Sequence, residues 1–231
     1  LILFDLVIFD FDGTVLKTDD AITYCTLQTL RERNVHLQAE TEAQIRELIG
    51  SGTTLADTFL RLGMQTKVDI AEAVRRYREL YAQHGLSFCT LYDGVRDAVS
   101  RFSKAGVKVA ILSNKGHQAL LTAVRHFELE RDVGFVAGER DGVKPKPDPG
   151  VYRTEIAPLF NLTDKARVLM IGDTEADIQF AHAIQASSCW VTYGFGSRAD
   201  CEALNPTFAV DRMVDTIALV LSSHDAELSP K

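Results

Sequence analysis

Three short apolar runs constrain this chain more than any other feature: Leu6-Val7-Ile8-Phe9, Val109-Ala110-Ile111-Leu112 and Val168-Leu169-Met170-Ile171. None of them alternates with polar residues. A strand with one wet face alternates, so these runs predict strands covered on both faces, as in parallel sheets flanked by helices. Each run also opens directly into a polar cluster. In open α/β sheets the carboxyl ends of the strands form the ligand edge, so residues far apart in the chain can converge there. Weaker strand candidates lie at 134–137, 188–193 and 208–210.

Between residues 16 and 88 strand-like runs give way to helical spacing. Ile22, Leu27 and Leu30 can share one helix face, Ile45, Leu48 and Ile49 a second, and Val74, Tyr77, Leu80 and Tyr81 a third. Gly50-Ser51-Gly52 and Gly63 punctuate the stretch. The expected organisation is an α/β core domain from 1–15 and 89–231, with a small all-helical domain, 16–88, inserted after the first strand and hinged over the ligand edge. A chain of 231 residues is long enough for both.

With 46% hydrophobic and 25% charged residues, the composition is that of an ordinary folded protein. A net charge of −7 argues against nucleic acid or an anionic membrane surface as a partner, because both require clustered cations. No apolar run is long enough to span a bilayer. The apolar stretch 1–11 is interrupted by Asp5 and Asp10 and has no basic leader, so it reads as a strand rather than a signal peptide. The four cysteines, Cys25, Cys89, Cys189 and Cys201, form no CxxC pair, and they read as reduced thiols of a cytoplasmic protein. The six histidines make no HxxxH or HExxH pattern and receive no role.

The chemistry is concentrated in four clusters at the ends of predicted strands. Asp10-Phe11-Asp12-Gly13-Thr14 places two carboxylates together, and Gly13 permits a tight turn that brings backbone N–H groups round to face them. Such a pair attracts a divalent cation such as Mg2+, unless it is only an acidic turn. A calcium loop starting at Asp10 would need Glu where Ala21 stands. Ser113 and Asn114 offer a hydroxyl and an amide to phosphoryl oxygens, or else cap a helix. In Lys144-Pro145-Lys146-Pro147-Asp148-Pro149 the prolines stiffen the backbone, and Lys144 is the better candidate to neutralise phosphate charge; a solvated basic linker is the alternative. Asp173 and Asp177 stand i, i+4 at the start of a predicted helix, where they can complete a metal site or act as caps.

In this order, DFDGTVLKTD, SNK, KPKPDP and GDTEAD resemble the motifs of the haloacid dehalogenase superfamily, in its phosphoglycolate-phosphatase-like branch. The resemblance spans nearly the whole chain. It implies a Rossmann-like core with a helical cap, and Mg2+-dependent hydrolysis of a small phosphorylated metabolite such as a phosphoglycolate-like or sugar phosphate. An aspartyl-phosphate intermediate is part of the implied mechanism. By the same resemblance Asp10 is the nucleophile and Asp12 the general acid/base, whose backbone carbonyl also ligates the metal. Ser113, Asn114, Gly13 and Lys144 bind phosphate, and Asp173, supported by Asp177, completes the metal site with Asp10. Asp12 points to phosphate-ester chemistry, because dehalogenases of the superfamily lack an acid there. A β-phosphoglucomutase-like phosphomutase is the alternative, against which Gly172 weighs, since mutases usually carry an acidic residue at that position. Asp93 and the pair Ile184-Gln185 depart from the family pattern.

Substrate selection is expected in the cap, through the loop 46–54, where Arg46 could meet a carboxylate or phosphate or else remain a surface helix residue. A monomer or homodimer is expected. A rival from the binding class is a dinucleotide-binding module. Gly194-Phe195-Gly196-Ser197-Arg198-Ala199 matches GxGxxA, but little chain follows it to complete a βαβ unit.

Overall fold

The computed structural model describes residues 3–35, 37–50 and 53–221. The three unalternating runs become β1 (Leu6–Phe9), β4 (Lys108–Gly116) and β6 (Val168–Gly172). Their lack of alternation has a direct physical cause. Val7, Phe9, Val109, Ile111, Leu169 and Ile171 enter one apolar core, while Leu6, Ile8, Ala110, Leu112, Val168 and Met170 enter another on the opposite face. Side chains two apart share a face, so a strand buried on both sides must be apolar throughout.

With β5 (Phe135–Glu139), β7 (Ser187–Val191) and β8 (Phe208–Val210), they form one parallel sheet in the order β5-β4-β1-β6-β7-β8. The predicted fold class is therefore observed. The chain moves outward from β1 through β4 to β5, then returns to the other side of β1 to add β6, β7 and β8. This reversal makes the carboxyl end of β1 the switch point, where the flanking connections diverge and leave a crevice. Phe9 pairs with Ile111 on one side and Ile171 on the other, so Asp10, Ser113 and Asp173 emerge at the same edge.

After β1 the chain forms β2 (Leu16–Lys17) and the helices α1 (Asp19–Glu32), α2 (Thr41–Gly50), α3 (Leu55–Arg61) and α4 (Lys67–His84). A 3-10 turn, Gly85–Phe88, leads to β3 (Thr90–Leu91), which pairs antiparallel with β2. The two crossings between sheet and helices are thus tied together as a short ribbon. Thr54 and Thr66 cap α3 and α4 by accepting from the N–H groups of Asp57 and Asp69. Ala73, Tyr77, Leu80 and Tyr81 form the buried stripe of α4.

The remaining helices are α5 (Val95–Lys104), α6 (His117–His126), α7 (Ala157–Leu159), α8 (Glu175–Ala183), α9 (Arg198–Ala203) and α10 (Asp215–Val220), with a π-helical turn at Tyr152–Ile156 running into α7. Among the described residues no helix is long and apolar enough to cross a membrane. All four cysteines are buried free thiols.

Phe102 of α5 is fully buried and stacks on Phe9, the residue before Asp10, with ring centroids 6.1 Å apart. Phe102→Ala is predicted to cost about 3–5 kcal/mol, because the rigid strand beneath cannot collapse into the void. Urea denaturation checks this, and a loss under about 1 kcal/mol would contradict it.

Candidate active site

Asp10 leaves β1 with its N–H donating to the Ile171 carbonyl at 2.9 Å, so the sheet itself fixes where the carboxylate begins. One Asp10 oxygen accepts from the ammonium of Lys146 at 2.6 Å, and the same ammonium donates to Asp177 at 2.6 Å. All three side chains are buried. Asp173 lies alongside, and one oxygen from each of Asp10, Asp173 and Asp177 falls within 4.8 Å of the others.

The lysine at the carboxylates is not the expected one. Lys144 is 81% exposed and faces only Asp148 at 3.8 Å, whereas the Lys146 side chain is 3% exposed. The cause is Asn114. Its side-chain oxygen accepts from the Lys146 N–H at 2.8 Å and its amide donates to the Lys146 carbonyl at 3.2 Å. This clamp on the main chain turns Lys146 inward. Asn114, expected on phosphate, is therefore engaged in positioning the lysine.

Gly13 also differs from its expected part. Its N–H donates to the Leu16 carbonyl at 2.9 Å and so closes the turn instead of facing a phosphate. What Gly13 supplies is room. It has φ +85°, and a Cβ there would stand 2.2 Å from Asp173 Oδ2. The turn brings Thr14 Oγ1 to donate to Asp173 Oδ1 at 2.8 Å, and Tyr193 holds the turn by donating to the Thr14 carbonyl at 2.7 Å.

The glycines of the GxGxxA stretch serve the same carboxylate. A Cβ on Gly194 would meet Asp173 Cβ at 2.2 Å, and one on Gly196 would meet the Asp173 carbonyl at 2.1 Å. Between them the Phe195 N–H donates to Asp173 Oδ2 at 2.8 Å. Close approach to Asp173 accounts for the pattern, and the dinucleotide reading falls. Gly172 is confined as well, since a Cβ there would lie 2.2 Å from the Asp177 carboxyl carbon.

Asp177 fills its second oxygen locally. Oδ2 accepts from the N–H of Thr174 at 3.0 Å and from its hydroxyl at 2.9 Å, anchoring the start of α8. With Lys146 on Oδ1, Asp177 is a support for the cluster rather than an open ligand.

Asp12 points into the cavity beside Ser113. Its two oxygens accept from the Lys115 ammonium at 3.0 and 3.3 Å, and that ammonium lies 4.0 Å from the ring centre of Tyr81 on α4. Lys115 was the unassigned member of Ser113-Asn114-Lys115. Only the fold shows that it links Asp12 to the helical block. Arg46, which could have reached the site or remained a surface helix residue, is held on the surface by Asp19, Asp20 and Glu42 at 2.9, 2.9 and 3.2 Å. Of the loop 46–54, Gly50 packs against the Phe195 carbonyl and Thr53 lines the cavity, while Ser51 and Gly52 lie outside the described residues.

Burial, followed by the charges of Asp177 and Asp12, raises Asp10 to about 7 despite Lys146. Asp173 is pushed well above the carboxylate range by burial and then by Asp10 and Asp177, against the bonds from Phe195 and Thr14. Burial works against the Lys146 ammonium, but Asp10 and Asp177 outweigh it and raise its pKa above the ordinary lysine value. Three buried carboxylates thus share one buried ammonium. The excess negative charge and the all-oxygen donor set suit a hard divalent cation such as Mg2+.

Residues 7–191 match the family model described as haloacid dehalogenase-like hydrolase. Similar proteins include the pyrophosphatase PpaX of Bacillus cereus, 27% identical over 219 residues, covering 93% of this chain and 95% of that protein. The phosphoglycolate phosphatase of Pectobacterium atrosepticum is 27% identical over 229 residues, covering 95% and 94%. Among solved structures, a haloacid dehalogenase-like hydrolase from Streptococcus pneumoniae superposes with a TM-score of 0.82 at 22% identity, covering 94% of this chain and 99% of that one.

Lys146→Met would leave the buried Asp10 and Asp177 without their cation. In metal-free buffer at neutral pH it is predicted to lose about 3–5 kcal/mol, whereas Lys144→Met leaves the denaturation midpoint in place. Equal midpoints for the two variants would contradict the assignment.

Proposed function

The chain belongs to the haloacid dehalogenase-like hydrolase family and is a phosphatase, and from that premise we propose that Asp10 attacks the phosphorus of a small phosphorylated metabolite. The observation that carries this reading is the buried Asp10 at the switch point, opening on the cavity with its ammonium partner behind it. Mg2+ would be held by the carboxylates of Asp10 and Asp173 together with the main-chain carbonyl of Asp12. When bound, it would supply positive charge to the phosphoryl oxygens and keep the acidic cluster ionised.

The chain's own residues then divide the work. Lys146 holds the Asp10 carboxylate in a single orientation, so one oxygen is presented to phosphorus in line. As the ester bond breaks, Asp12 acts as the general acid and gives a proton to the leaving oxygen, and the phosphoryl group rests on Asp10. Asp12, now a carboxylate, takes a proton from water as the water oxygen attacks phosphorus. Inorganic phosphate leaves, and both aspartates regain their starting states. Ser113 can donate its hydroxyl to a phosphoryl oxygen while its Oγ accepts from the Lys115 N–H at 3.3 Å.

Hydrolysis is favoured over phosphoryl transfer between sugar positions by Gly172. The site packs Asp177 against that glycine and leaves no space for the acidic side chain expected of a mutase. The relatives' names specify two small substrates, phosphoglycolate and pyrophosphate, and support the small size class proposed here.

Asp10→Asn is predicted to abolish Mg2+-dependent release of phosphate from a generic aryl phosphate, with circular dichroism unchanged. Undiminished turnover by the folded variant would remove Asp10 from the reaction.

A further inference from the structure

The cavity over Asp10 has two unlike walls. The sheet edge contributes Asp10, Asp12, Ser113 and Lys146, the groups that the proposed function places around the phosphoryl group. The opposite wall comes mostly from the helical block and includes Ile22 of α1, Ile49 of α2, Leu55 of α3, and Tyr77 and Tyr81 of α4, joined by Phe195. None of these six carries a charge.

The cations among the described lining residues are Lys146, Lys115 and Arg78, and each already lies against a carboxyl group. Lys146 is held by Asp10 and Asp177, Lys115 by Asp12, and Arg78 by Glu139 at 2.9 Å. Arg46 is occupied outside the cavity by Asp19, Asp20 and Glu42. A substrate with a second anionic group would therefore place that charge against a largely apolar wall, and among the described lining residues it would have to compete with a carboxyl group for any cation. The cost of doing so is large compared with that of burying an apolar group. Phosphoglycolate carries such a group in its carboxylate, and pyrophosphate carries one in its second phosphoryl.

Resting on the phosphatase reading above, we infer that the leaving group is a compact apolar alcohol, alkyl or aromatic, without a second charge. The cavity of about 160 Å³, shared by the phosphoryl group and the leaving group, sets the upper limit of size. Apolar cavities of roughly 150 Å³ take up a single benzene ring. Ile22, Ile49 and Leu55 gain by burying the leaving group's hydrocarbon, and Tyr77 and Tyr81 offer ring faces to it. The selectivity thus comes from the helical wall, and the phosphoryl chemistry from the sheet edge.

The test measures phosphate release by the full chain with Mg2+ on butyl phosphate, benzyl phosphate, phosphoglycolate and pyrophosphate. The apolar esters are expected to exceed both others in kcat/KM by about tenfold or more. Ile49→Lys, which puts a cation into the apolar wall, is expected to shift the ratio toward phosphoglycolate by about tenfold. Leu55→Lys on a different helix serves the same purpose should the first variant not fold. Preference of the wild type for phosphoglycolate or pyrophosphate would overturn the inference while leaving the phosphatase reading intact. A ratio unmoved in a folded lysine variant would overturn the assignment of this wall. Absence of turnover on every ester, a generic aryl phosphate included, would instead overturn the phosphatase reading and this inference with it.

Discussion

The ammonium of Lys146, 2.6 Å from both Asp10 and Asp177, is the interaction on which the rest of the site depends. Three carboxylates gathered in a buried space repel one another and lose their hydration, and both effects favour their neutral forms. A single cation inside the cluster offsets part of this. Asn114 holds both main-chain polar groups of Lys146 and so fixes the backbone from which its side chain turns inward. The order of dependence runs from the Asn114 amide to the lysine backbone, from the lysine to Asp10, and from Asp10 to the chemistry.

The sheet topology supplies the precision. β1 lies between β4 and β6, so Asp10 starts from a strand hydrogen-bonded on both sides. The helical block, by contrast, is joined to the sheet through the short β2–β3 ribbon. Noncovalent contacts reinforce that link near the cavity, among them Lys115 over the Tyr81 ring, the Arg78–Glu139 ion pair and Gly50 packed against Phe195. A rigid edge that holds the reacting groups and a separately attached wall that shapes the cavity allow chemistry and selectivity to vary independently.

Much of this was legible in the sequence because it rests on local pattern. Unalternating apolar runs ending in Asp10, Ser113 and Asp173 foretold both the parallel sheet and the edge where those residues meet. The choice between Lys144 and Lys146 was not legible. Two lysines separated by a proline look alike locally, and what distinguishes them is a pair of bonds from Asn114, 32 residues upstream. The purpose of Gly194 and Gly196 was not legible for a related reason. Glycine marks a close approach without naming what approaches, and here it is Asp173 rather than a ligand phosphate. Arg46 was drawn off by Asp19 and Asp20 of another helix, a pairing that helical periodicity within one segment cannot reveal.

The most direct test of the central claim is chemical capture of the phosphorylated carboxylate. The wild-type protein, mixed with Mg2+ and a rapidly turned-over phosphate ester, is quenched and reduced with borohydride, which converts an acyl phosphate to an alcohol. Peptide mass spectrometry should then find homoserine in place of Asp10, and only when the substrate was present. Reduction at a different carboxylate, or an unaltered Asp10 under turnover conditions that yield a reduced residue elsewhere, would contradict the account.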